Sequence, residues 1–375
     1  MLRIVVAEIL FSLAVFALQE VPRGHGLLTL AGVACMMGAL PVLVAAGGSP
    51  RKPPPRFAGR VLGGAIAVLA AAQLVFAIVR TVKPKVLDIA TTTVAALDGL
   101  AHGANPYALA LDPVAGGIGG GAQFLGYKYL PAMLLAYAPL ALPFGIRGTV
   151  LTNIVLQGAT AGALAALAAR RSGRVGGLVA ALLYLSLPFL AHQLFTRGVN
   201  DLVAVLPLLA ALLLLERRPG WAGVLAGLSI AAKLMPGLAV LPCLVPWQGP
   251  RRRFLLGVAV GVLPVLPFVA ASPAAFADNI ILFNALRPID DTSWLWGLPE
   301  AAVFAARVIA SAALGGLYAA LWRWPLDGDE RCAAAALAVL IVFAAGPDMH
   351  HNYYLWFIPF FAVLTARACV GEARR

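Results

Sequence analysis

The chain has 375 residues, of which 61% are hydrophobic and only 12% charged, against roughly 45–50% and about 25% in soluble domains. With a mean hydropathy of +0.90, it has too little polar surface to cover a water-soluble globule, and the composition describes a polytopic membrane protein. Lys and Arg total 28 against 16 Asp and Glu, a net charge of +12. In an apolar chain this excess holds basic loops on the cytoplasmic side and does not call for a nucleic-acid partner.

The first stretch, Met1 to Glu20, is apolar and lacks a clear small-residue cleavage site, so it is expected to be a first span and not a removed leader. Twelve apolar runs follow one another at about 4–19, 26–47, 60–80, 148–169, 175–195, 201–215, 219–232, 237–248, 254–272, 300–322, 331–347 and 352–369. They predict an all-α bundle of about 12 transmembrane helices. The runs 219–232 and 237–248 are short, and read either as two tilted spans or as one broken hairpin.

Placing the N-terminus inside puts 18 of the 28 basic residues in inner loops, among them Arg170, Arg171, Arg174, Arg217, Arg218 and Arg251 to Arg253. Asp88, Asp98, Asp112, Asp201, Asp278, Asp290, Asp291 and Asp348 then all fall outside. Two outer loops are long, 81–147 and 273–299, and long loops in compact proteins usually carry function. Residues 129–144 are apolar but contain Pro131, Pro139 and Pro143. Counting them as a span would put Arg170, Arg171 and Arg174 outside, so an interfacial or re-entrant helix is expected.

The run GGIGGG at 116–121 lacks the GK[ST] ending of a phosphate loop and reads as a flexible connector. Cys35, Cys243, Cys332 and Cys369 show no CxxC spacing, so neither a disulfide nor a metal site is expected.

The rare polar residues in this background are the candidates for chemistry. Asp88 heads the first outer loop, where a carboxylate suits a general base or, equally, a solvated acid paired with Lys83 or Lys85. Asp98 and Asp112 are further acids of that kind. Lys233 sits inside GLSIAAKLMPG; an ammonium at membrane depth suits a phosphate, or snorkels to the interface. Arg197, Asn200 and Asp201 form a tight outer turn, which suits a polar cluster facing a cavity, a helix cap, or both at once. Arg287 suits phosphate recognition, or pairs with Asp290 or Asp291 in a wet loop. Asp348, His350 and His351 offer hydrogen-bonding or proton-transfer groups, with no third metal ligand spaced on the same element. His102 and His192 read as structural or solvated. All of the candidates map to the outer face.

The order of these features resembles a known family. After an acid at the head of a long outer loop come G-x-N-P-Y (Gly103, Asn105, Pro106, Tyr107) and Y-x-Y-x-P (Tyr127, Tyr129, Pro131). Next are a polar turn with Asn200, a run from Ala222 to Pro236 containing Lys233, and His351 with Tyr353 and Trp356 before the last span. This resembles the GT-C superfamily of membrane glycosyltransferases, and within it glycosyltransferase family 87, the polyprenyl-phosphate-mannose-dependent type, over residues 60–369. Residues 1–50 look like an added transmembrane hairpin before a catalytic domain at 51–375.

The resemblance implies a GT-C-like fold and transfer of mannose or a similar sugar from a polyprenyl phosphate to a hydroxyl of a lipid or glycan acceptor. Asp88 would be the catalytic base. Lys233, Arg287 and Arg197 would bind the donor phosphate. His351, His350, Asn200, Tyr107 and Tyr129 would line the sugar or acceptor. Val199 stands where the family often has Gln, a departure at that contact. A phosphate already leaves well, so one base and nearby cations suffice, and in-line attack predicts inversion. The lipid-linked sugar serves as co-substrate, and no cofactor or obligatory metal is expected. Abundant Ala and Arg with few Lys suggests a GC-rich bacterium, hence a cytoplasmic-membrane protein with both termini inside and its site facing the periplasm. The competing readings are a flippase for a lipid-linked sugar and a non-catalytic assembly factor.

Overall fold

A computed structural model of the chain describes residues 56–82, 86, 88–111, 124–348 and 350–371. The expected spans 4–19 and 26–47, the whole expected hairpin 1–50, the GGIGGG segment, Asp112, Lys83 and Lys85 lie outside the described residues. Among the described residues every regular element is helical.

The chain runs through α1 (Arg56–Val82), α2 (Asp88–Ala101), α3 (Pro131–Phe144), α4 (Ile146–Leu185), α5 (Leu202–Leu214), α6 (Pro219–Ala232), α7 (Leu234–Leu244), α8 (Arg251–Val262), α9 (Glu300–Arg323), α10 (Gly328–Ala344) and α11 (Ile358–Val370). Short helical pieces join them, including the segments 188–197, 273–286 and 351–356. Gly59–Val82, Ile146–Leu185, Arg251–Ala271 and Glu300–Arg323 are long and apolar enough to cross a membrane. The other apolar helices are shorter, 10–17 residues. Among the described residues all ten expected runs fall on helices, and four helices reach crossing length.

α4 is one helix only in name. At Gly173 the backbone turns to φ 66°, ψ −174°, a conformation open to glycine at little cost. A Cβ on Gly177 would lie 2.6 Å from the Ala165 carbonyl, so the chain doubles back there. The basic segment 170–174 is thus the turn between limbs 146–172 and 174–185, as the positive-inside reading expects.

α6 and α7 also fold back on each other, through the single extended residue Lys233 (φ −150°, ψ 118°). A Cβ on Gly237 would strike the Ile230 backbone at 2.7 Å. These helices of 14 and 11 residues are only about 21 and 16 Å long, so the pair is a broken hairpin with Lys233 at its apex. α6 lies against α8 so closely that a Cβ on Gly223 would meet the Phe254 carbonyl at 2.0 Å, the close backbone approach small residues allow in lipid. α3, with 14 residues, is likewise too short to cross, and it packs on α4, α2 and α6.

α5 and α11 form the centre. Leu202, Val205, Leu208 and Leu209 of α5, and Ile358, Phe360 and Ala366 of α11, are wholly buried. At the end of the bundle away from Lys233, charged groups tie helices together. Arg171 meets Asp327 at 2.6 Å, Arg367 pairs with Asp329, and Arg331 donates to the Cys243 carbonyl at 2.8 Å. Asp327 and Glu330 close a reciprocal capping box on α10.

Candidate active site

The opposite end gathers most of the rare polar residues. Its centre is Asp201, with no exposed surface. Its carboxylate accepts from Lys233 Nζ at 2.6 Å, Trp356 Nε1 at 2.5 Å and Asn352 Nδ2 at 2.9 Å. A buried carboxylate needs such company, because an unpaired charge in a low dielectric is costly. The helix-cap reading of this turn is therefore corrected. Asp201 opens α5 but makes no side-chain cap hydrogen bond, since its oxygens are engaged by the Lys233 apex and the 351–356 segment. The snorkelling reading of Lys233 is corrected in the same way. Its ammonium points into the protein, and three rings surround it, Tyr353 at 5.1 Å, Trp356 at 5.2 Å and Tyr129 at 5.7 Å.

Asn200, 1% exposed, stands beside Asp201, and among the described residues neither its amide nitrogen nor its amide oxygen has a hydrogen-bond partner. Such a group is costly to bury idle and is ready to receive a polar ligand. The turn that holds it depends on Gly198, at φ +69°, where a Cβ would press on Val86 and Ala90 at 3.0–3.2 Å. That contact seats the start of α2, and with it Asp88, against the polar turn.

The second cation lies across Tyr353. Arg287 meets Asp348 at 3.0 Å, His350 Nε2 at 3.1 Å and Asp290 at 3.9 Å. The Tyr353 hydroxyl donates to Asp348 at 2.7 Å, so one ring touches both the Lys233 and the Arg287 clusters. Burial alone would lower the Arg287 pKa, but Asp348, Tyr353 and Asp290 outweigh it and hold the guanidinium above its ordinary value. Ligand atoms of Asp290, Asp348 and His350 lie within 4.8 Å of one another. The third ligand absent from the local sequence thus arrives from the other loop. Arg287 contacts all three groups, however, and already fills the place of a cation.

Asp88 is exposed in the first turn of α2, where its backbone carbonyl accepts from the hydroxyls of Thr91 and Thr92. Burial first, then the charges of Tyr127, Asp201 and Asp88, push the Tyr129 hydroxyl well above its ordinary pKa, with Arg287 opposing. Tyr129 is held in turn by Tyr107, whose buried hydroxyl donates to the Tyr129 carbonyl at 2.7 Å. Tyr107 is a positioning residue in this arrangement. Asn279 joins the two long loops by accepting from Gly126 N at 2.9 Å and Lys128 Nζ at 3.0 Å and donating to the Tyr107 carbonyl at 3.1 Å.

Arg197 does not join the other two cations. It is exposed at the end of the 192–197 turn, where its charge and that of Arg80 act on His192. The His351 side chain lies outside the described residues. The pairing of Asp201 with Lys233 was missed by sequence reasoning. The signal was present, since a lysine at membrane depth implies a buried partner.

The sequence profile of glycosyltransferase family 87 matches residues 127–347, more than half of the chain. The matched segment contains Tyr129, Asn200, Asp201, Lys233 and Arg287, and ends before Asp348; Asp88 precedes it. A search of curated proteins gave no match. Among solved structures, the crystal structure of ArnT from Cupriavidus metallidurans bound to undecaprenyl phosphate is similar in fold. It has a TM-score of 0.57 and 17% identity over 81% of this chain. The likeness covers 60% of the ArnT chain. Profile and fold agree, and this chain belongs to glycosyltransferase family 87.

Proposed function

We propose that the chain transfers a sugar, mannose or a close relative, from a polyprenyl-phosphate donor to a hydroxyl of a lipid or glycan acceptor. The observation that carries the reading is the meeting at Tyr353. Lys233 Nζ lies 5.1 Å from the centre of its ring, and its hydroxyl donates to Asp348, which Arg287 meets at 3.0 Å. The two proposed phosphate cations therefore meet across one side chain, and Gly198 seats the start of α2, which bears the proposed base Asp88, beside the same polar turn.

Asp88 takes the proton of the acceptor hydroxyl, whose oxygen attacks the anomeric carbon. The bond from that carbon to the phosphate oxygen breaks, and its electron pair leaves on the phosphate. Attack from the side opposite the leaving group inverts the anomeric centre. Lys233 keeps donors free beyond its bond to Asp201, and Arg287 beyond its bond to Asp348. Both can accept the charge that develops on the phosphate without reorganising. Asn200 offers its idle amide to a sugar hydroxyl, with His350 at the Arg287 end of the site and His351 as a further sugar contact. Arg197 serves at most the lipid phosphate further out. The ArnT structure holds undecaprenyl phosphate, which supports a polyprenyl donor here.

The site opens on the outer face of a bacterial cytoplasmic membrane, in a bundle of apolar helices in which α6 and α7 form a broken hairpin, with both termini inside. No cofactor or obligatory metal is required for this chemistry.

The test uses purified protein in nanodiscs with polyprenyl-phosphate mannose and a membrane lipid extract, read by mass spectrometry. Sugar transfer is expected. Arg287→Gln should weaken donor binding by roughly 10- to 100-fold, the worth of one charge-assisted hydrogen bond. Donor that neither binds nor reacts would overturn the reading.

A further inference from the structure

A cavity of about 310 Å³ lies at the end of the bundle away from Lys233. It lies between the turn that follows α7 and the turn from α9 to α10, with Trp247, Gln248, Trp324 and Arg331 in its lining. Nothing in the proposed reaction uses it.

Three features define what it can hold. The first is charge. Arg331 is fixed at the wall by donating through Nε to the Leu326 carbonyl and through Nη1 to the carbonyls of Cys243 and Val245. Arg251, Arg252 and Arg253 are exposed beside the turn, and Arg323 is exposed across from them. The first turn of α8 contains no acid to balance its three guanidinium groups, so this rim carries a concentrated positive potential. The second is the aromatic edge. Arg251 lies over the Trp247 ring at 6.0 Å, and Trp322 and Trp324 are 65% and 63% exposed. The third is position. Immediately beyond the arginines, Leu255, Leu256 and Val260 face outward. The mouth thus lies where an apolar surface gives way to a charged one, with tryptophans at the boundary as at a membrane interface. A free inorganic anion has no use for the apolar border, whereas a lipid uses both halves.

We propose that this cavity is a binding site for the headgroup of an anionic phospholipid. Its phosphodiester is received by Arg251 to Arg253 and the fixed Arg331, its glycerol lies between Trp247 and Trp324, and its acyl chains run along Leu255 and Leu256. The site is separate from the sugar-transfer centre, and its test does not depend on activity.

The experiment is native mass spectrometry of the delipidated full chain titrated with phosphatidylglycerol or phosphatidylcholine. The triple variant R251Q/R252Q/R253Q is compared with wild type. The control R60Q/R174Q also removes exposed arginines, neither of which lines the cavity. Phosphatidylglycerol should be retained in preference to phosphatidylcholine. The triple variant should lose about a hundredfold in phosphatidylglycerol affinity, with the control nearly unchanged, since each arginine at a membrane surface contributes about fivefold. Trp324→Ala should weaken retention without altering charge, and guards against a misfolded triple variant. Equal retention of the two lipids, equal loss in the control, or displacement of phosphatidylglycerol by millimolar inorganic phosphate would each overturn the proposal.

Discussion

Replacing Asp201 by alanine tests how the candidate active site is held together. Two costs compete. The carboxylate accepts three hydrogen bonds, from Lys233, Trp356 and Asn352. At about 0.6 kcal/mol each, the average for such bonds inside membrane proteins, their loss would amount to about 2 kcal/mol. The second cost is the ammonium left behind. The Lys233 side chain is 14% exposed and Asp201 not at all, and orphaning one member of a buried pair costs about 3–5 kcal/mol. The orphaned charge is the larger effect, and it predicts a fall in apparent Tm of about 5–15 °C.

Removing the charge as well should reverse most of that component. D201A/K233M should be more stable than D201A and should regain at least half of the lost Tm, although Trp356 and Asn352 remain without their acceptor. The assay is thermal unfolding of the four proteins of the cycle in one detergent, at one scan rate. If K233M adds its own loss to that of D201A, the pairing does not dominate and the reasoning fails.

Other outcomes follow from single contacts. Gly198→Ala should cost about 1–2 kcal/mol for the left-handed backbone alone. Because the new Cβ presses on Val86 and Ala90, it should also depress turnover by displacing the α2 terminus that bears Asp88, measured as kcat against Tm. Asn279→Ala should lose about 1–3 kcal/mol by leaving buried Gly126 N and the Tyr107 carbonyl unpaired, and should raise the proteolysis rate of the loop ending at Lys128. Burial raises the Asp327 pKa, but the Glu330 amide and Arg171 outweigh it, so its carboxyl titrates below its ordinary value. The stabilisation from Asp327 is therefore present above the ordinary carboxylate range and is lost as pH falls through the lowered value. Asp327→Asn should flatten the acid limb of stability against pH, and an unchanged limb would refute the assignment.

Much of this arrangement was legible because charges are rare in so apolar a chain. Lys233, Arg287 and Asp88 each stood out against their surroundings, and the basic turn at 170–174 marked the reversal within α4. The aromatic cage around Lys233 was hidden. Tyr129, Tyr353 and Trp356 come from two loops 224 residues apart at Tyr129 and Tyr353, and local sequence carries no signal of such a meeting. Asp201 could be left only between two readings for a physical reason: an acid before an apolar helical run looks like a cap, and only the tertiary position of Lys233 directs its oxygens into the polar cluster. Arg197 carried the same charge as the other two cations but sits on the outside of its turn. The runs 219–232 and 237–248 were legible as short, and two tilted spans or one broken hairpin fitted them equally; the close approach of Gly237 to Ile230 decides for the hairpin.

The role of Asp88 is the claim on which the proposed chemistry turns. The decisive measurement is the single-turnover rate of sugar transfer by Asp88→Asn beside wild type, with donor affinity determined on the same preparations. A general base contributes about 10²- to 10⁴-fold. The rate should fall by that factor while donor affinity stays within a few-fold, because Lys233 and Arg287 are untouched. Transfer within about tenfold of wild type would contradict the assignment of Asp88 as the base.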